Sequence, residues 1–185
     1  MRIEVEAKPS YAMAVVTLEK GEKIVAESSS MVAMSSGLAV ETTFNGAQGG
    51  DLVAWLTAAF VGLARRFFAG ETMFVNEFRA KADGQQVMLA PAMVGDLTHV
   101  TLDGARKVVV QASSFVACTP GVKQKLIWGG IAMLFSGEGA FFLECSGKGE
   151  LLFNSYGGLE LIELDGPYVV DSGHVAAWEG EVTYT

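Results

Sequence analysis

A chain of 185 residues, half of them hydrophobic and 18% charged, is long enough to bury a core without disulfides or metals and lies far from disordered composition. Its formal charge of -8 and pI near 4.7 oppose broad attraction to phosphate backbones, so nucleic acid is disfavoured as a partner. The mean hydropathy of +0.34 leaves apolar surface to spare, some of it expected to be buried between subunits.

The start, "MRIEVEAKPS", carries charge at once and has no apolar stretch before a cleavage site, so no secretory signal is expected. Cytoplasm is the expected location. From there the chain alternates short apolar or β-branched runs with Gly, Ser and Asp breaks, which predicts a single all-β domain over residues 1–185. The first clear strand candidates are "YAMAVVTL" and "KIVAESSSMVAM".

Gly50 to Glu71 differs from everything around it. Leu52, Leu56, Ala59, Phe60, Leu63 and Phe67 recur at helical spacing, with Asp51 near the start and Arg65 and Arg66 near the end, as the helix dipole favours. One helix near 51–67 is therefore predicted. Apolar residues cover most of its surface, so it suits a core, a subunit contact or the membrane interface, and it is too short and interrupted for a membrane span. Trp55, Phe60 and Phe67 are the candidate membrane or partner contacts.

Strands resume with "TMFVNEFRA", then "RKVVVQASSFVAC", "GAFFLEC", "ELLFNS" and "YVVDSGHVAAW". These segments repeat one another. Leu18 to Met34 aligns without a gap on Leu102 to Cys118, and "LDGPYVVDSGHVAAW", Leu164 to Trp178, fits with a small deletion. A second unit alternates with the first: "FAGETMFVNEF" at Phe68 to Phe78 matches "FSGEGAFFLEC" at Phe135 to Cys145. The order is A, B, A, B, A. Such repetition predicts stacked antiparallel sheets with a pseudo-threefold internal repeat, each unit burying its face on the next.

Few residues point to chemistry. Gly147 and Lys148 form only the "GK" of a phosphate-binding loop: position 142 is Phe and Gly149 stands where a hydroxyl is required. The sister stretch "RAKADGQQVMLAP" keeps a turn glycine, Gly84, and no such lysine, so bends of a β-unit explain these glycines. "VVDSGH", Val169 to His174, resembles the active-site turn of aspartic proteases, yet no second Asp-Ser/Thr-Gly exists in the chain. Ser172 and His174 lack an evident orienting carboxylate, and His174 reads as a hydrogen-bonded structural imidazole. His99 and His174 have no acidic or thiol cluster near them in sequence, so no metal or other cofactor is expected. Glu71 and Glu138 are sister residues suited to turn hydrogen bonding. Cys118 and Cys145 lack CxxC spacing and sit among apolar residues, which predicts buried free thiols.

As a set, "ESSSMVAM", "FAGETMFVNEF", "SSFVAC", "FSGEGAFFLECSGKGELLFNSYG" and "LDGPYVVDSGHVAAW" resemble the altered-inheritance-of-mitochondria protein family, number twenty-four, from about Val15 to the C-terminus. The resemblance implies a fold like the tryptophan RNA-binding attenuation protein, in a homo-oligomer. It carries over no catalytic residues, because the family defines none, and its mitochondrial members are linked to inner-membrane organisation. Members usually continue past the Val-Asp-x-Gly-His turn into a further Gly-Glu-Gly unit, whereas this sequence stops, so an unfilled sheet edge that pairs with another chain is expected.

These readings converge on a non-enzymatic, homo-oligomeric interaction module, peripheral at the inner face of the membrane or bound to a membrane protein. The alternative is a small-ligand binding domain with a cleft between sheets or subunits.

Overall fold

The computed structural model describes residues 1–44, 74–128 and 141–180. Antiparallel β-structure dominates them, as the alternating pattern predicts. In β1 (Arg2–Glu6), Ile3 and Val5 turn toward the core while Arg2, Glu4 and Glu6 turn to solvent. β1 pairs with β2 (Met13–Leu18), which pairs with β7 (Gln85–Leu89), which pairs with β4 (Met31–Met34). This four-stranded sheet ends at β4.

A longer path runs through β13 (Ala177–Glu179), β9 (Val108–Gln111), β12 (Phe141–Asn154), β10 (Phe115–Cys118), β3 (Lys23–Glu27), β6 (Phe74–Ala80) and β5 (Leu38–Phe44). β8 (Leu97–Asp103) and β11 (Val122–Trp128) also pair with β12. The first half of β12 takes β11 and β9, and its second half takes β8 and β10. One strand thus serves two ladders.

The division falls at Gly147 and Gly149, which have φ of 104° and 141°. "GAFFLEC" and "ELLFNS", expected as separate strands, merge across this bend. The sister unit instead breaks into β6 and β7 at the Lys81–Gly84 turn, where Gly84 has φ of 68°. Lys148 is exposed, and its aliphatic stem lies over Gly104.

The repeat predicted from sequence is carried into the pairing of its first two copies. β3 and β4 correspond to β9 and β10, and the register slips at Val32 against β7 as it slips at Val116 against β12. The third copy makes only a 3-10 turn, η2 (Ser172–His174), matching η1 (Ala112–Ser114), and then β13. Its "YVVD" run, expected as a strand, is non-strand and exposed. Three complete units are therefore not seen among the described residues.

The main core lies where the sheets face each other. It joins Val16, Leu18, Val87 and Leu89 of the four-stranded sheet to Ile24 and Phe78 of the longer path, and Val116 and Leu152 extend it. A second cluster surrounds Val110, Cys145 and Leu151. The predicted helix near 51–67, with Trp55, Phe60 and Phe67, lies outside the described residues, as do Glu71 and Glu138.

Candidate functional site

The chemistry-bearing residues are dispersed or insulated. Gln124 donates from Nε2 to Cys118 Sγ at 2.9 Å, and the Cys145 thiol lies 3.7 Å from the Leu143 carbonyl oxygen. Both thiols are buried and free, as expected. Burial pushes each pKa up to about 12, and for Cys145 the nearby Cys118 and Glu144 add to the shift. Such thiols stay protonated and unreactive at neutral pH.

The shift fixes the sign of an alkaline effect. The folded thiols hold their protons to about pH 12, whereas an unfolded thiol releases its own near 9.0. Their stabilising contribution is whole below pH 9 and falls as pH climbs toward 12, by about 1.4 kcal/mol per pH unit and thiol at most. Urea unfolding at pH 8, 9 and 10 should show a shallower decline for Cys118→Ala/Cys145→Ala than for wild type. Equal slopes would contradict the assignment.

His174 has a carboxylate that its sequence neighbourhood did not reveal. The η2 turn brings Asp171 Oδ2 to 3.2 Å from His174 Nδ1, and the Asp171 carbonyl oxygen accepts from the His174 amide at 2.9 Å. Their side chains are 73% and 81% exposed, so water competes with the contact and it is a weak surface pair. His99, on β8, is exposed and opposite Leu152. Among the described residues no three His, Cys, Asp or Glu side chains gather as a metal-binding group.

Apolar exposure is where the molecule departs from a finished surface. β4, "MVAM", is exposed at all four residues, whereas its repeat counterpart β10, "FVAC", is buried at all four. The difference is one strand. β10 lies between β12 and β3, while among the described residues β4 pairs only with β7. At the opposite end of the same sheet, β1 protects its edge with the charges of Arg2, Glu4 and Glu6, and β4 has none.

A second exposed element follows β12. From Tyr156 to Val170 the chain forms no strand, and Tyr156, Leu161, Leu164, Tyr168 and Val169 are all more than half exposed. It is tied at its start, where Gly157 bridges Gly95 and its carbonyl oxygen accepts from the Asp96 amide at 2.7 Å. Asp96 is itself buried, accepting from the Leu97 amide at 2.8 Å and facing Lys8 Nζ at 3.4 Å. At its end β13 holds it to β9, with Trp178 edge-on to Phe142 at 4.9 Å between ring centres. The result is an apolar strap fixed at both ends.

The strands expected over "KIVAESSSMVAM" and "YVVDSGHVAAW" carry no sign that their "MVAM" and "YVVD" parts face solvent. The signal was available only by comparing the repeat copies in three dimensions. No helix among the described residues is long and apolar enough to cross a membrane.

Residues 3–185 match the family described as mitochondrial biogenesis AIM24. An uncharacterised protein of Streptococcus pyogenes serotype M6 is 28% identical over 187 residues, covering 100% of this chain and 73% of that protein. The X-ray crystal structure of a Streptococcus pyogenes protein is similar with a TM-score of 0.72 and 26% identity, covering 96% of this chain and 76% of that one.

Proposed function

Since the chain belongs to the mitochondrial biogenesis AIM24 family, we propose that it is a non-enzymatic interaction module that assembles with copies of itself. The observation that carries this reading is the β4 edge, an uncharged "MVAM" strand left exposed although its repeat counterpart is buried. An open apolar edge is a template for another chain. The inert thiols and the solvated Asp171–His174 pair are consistent with a role in binding rather than chemistry. A tryptophan RNA-binding attenuation protein-like arrangement of three units belongs to the same proposal, supported by the matching pairings of the first two copies.

Sedimentation equilibrium tests the assembly: a mass that is a multiple of the 19.6 kDa chain is expected, and a monomer at tens of micromolar would overturn it. Peripheral membrane contact through Trp55, Phe60 and Phe67 is the second part of the proposal. It predicts that wild type floats with liposomes and that Trp55→Asp/Phe60→Asp does so less. Equal flotation would remove that part alone.

A further inference from the structure

Two joins between repeat copies are made within this chain, and they follow one rule. β10 of the second copy pairs with β3 of the first, Ala117 opposite Ala26 and Cys118 opposite Val25. β13 of the third copy pairs with β9 of the second, Ala177 opposite Val110 and Trp178 opposite Val109. Each time the strand after the short turn of one copy lies antiparallel to the strand before that turn in the preceding copy. Ala177 takes the place of Ala117, and Val110 that of Ala26.

Carried one step round, the rule assigns a partner to β4. β4 is the strand after the turn in the first copy, so its partner is the stretch before the turn in the third copy, Tyr168 to Asp171. Ala33 would face Val170 and Met34 would face Val169. Both sides of this pair are open: Met34 is 42% exposed, Val169 96% and Val170 45%.

We propose that this third join is made between two copies of the chain, the Tyr168–Asp171 segment of each adding as an antiparallel strand to β4 of the other. The edge and its complement both face solvent within one chain, so the join is not made in cis. Reciprocal exchange fills both edges at once and closes as a twofold dimer. The edge supplies unpaired backbone groups, the strap supplies two valines, and no charge on "MVAM" opposes them. This inference rests on the self-assembly reading and names its partner and register.

The test uses cysteine pairs on the full chain, since directly opposed antiparallel residues have Cα separations that a disulfide can span. Cys118 and Cys145 are buried and stay out of the reaction under native conditions. Mixing the Met34→Cys protein with the Val169→Cys protein under mild oxidation should give a covalent dimer of the two, absent from mixtures of Glu4→Cys with Val169→Cys. Val170→Asp, at an exposed site, should sediment at half the wild-type mass while keeping the wild-type far-ultraviolet circular dichroism spectrum. A Met34→Cys/Val169→Cys double variant that closes a disulfide within one chain would show pairing in cis and overturn the exchange. A wild-type dimer that neither cross-links at these positions nor responds to Val170→Asp would overturn it too, while leaving self-assembly standing. A wild-type monomer would remove both.

Discussion

Replacing Phe78 with alanine is expected to lower stability by about 3–5 kcal/mol, the usual cost of emptying a fully buried aromatic site. Phe78 has no exposed surface. It stands on β6, opposite Ile24 on β3 and Val40 on β5, within the cluster that also holds Val16 and Leu89 of the four-stranded sheet. Its ring therefore belongs to the contact between sheets, and neighbours fixed by ladders on both sides have little freedom to collapse into the space. A domain of this kind has about 5–15 kcal/mol in total, so the variant should unfold at a much lower urea concentration with little change in slope. Val40→Ala, on the same ladder but 39% exposed, should cost far less. Similar losses for the two would mean that the core does not pass through Phe78.

The same cluster shows what could be read from sequence. "KIVAESSSMVAM" and "RKVVVQASSFVAC" are each expected as one strand; each divides at its serines, into β3 and β4 and into β9 and β10, and the pairing repeats as the residues do. β1, β5, β7, β8 and β11 are absent from the expected strands. Sequences such as "RIEVE" and "VKQKLIW" are half polar because one face meets water, so their apolar content is low even where alternation is present.

Burial of a whole strand is less legible still. "MVAM" and "FVAC" differ little as patterns, yet one is exposed and the other buried, because burial depends on whether a third strand arrives from another repeat copy. The Asp171 contact of His174 depends likewise on a turn that folds the chain back over three residues. For the candidate surface the sequence supplies the parts, and only the pairing shows that two of them are left open.

Gly147 and Gly84 separate two reasons for a glycine, and the second large effect is expected at Gly147. Both have positive φ, of 104° and 68°, so alanine is conformationally strained at either site. At Gly84 an added Cβ meets nothing within 4 Å, and the cost should be about 1–2 kcal/mol, that of left-handed backbone alone. At Gly147 it would stand 2.3 Å from the Gly121 carbonyl oxygen, a backbone atom next to the β11–β12 ladder that begins at Val122 opposite Gly147. That ladder must open for the methyl group to fit. Gly147→Ala should therefore cost about 3 kcal/mol or more, since strain and a lost close approach add. Urea midpoints of the two variants decide the matter: equal losses would mean that the bend in β12 needs glycine only for its torsion angles. The expected inequality says instead that glycine there lets one strand pass close enough to a neighbour to change ladders halfway along. The two halves of β12 then share their partners between ladders in a way that the sister unit achieves with a turn between two separate strands, β6 and β7.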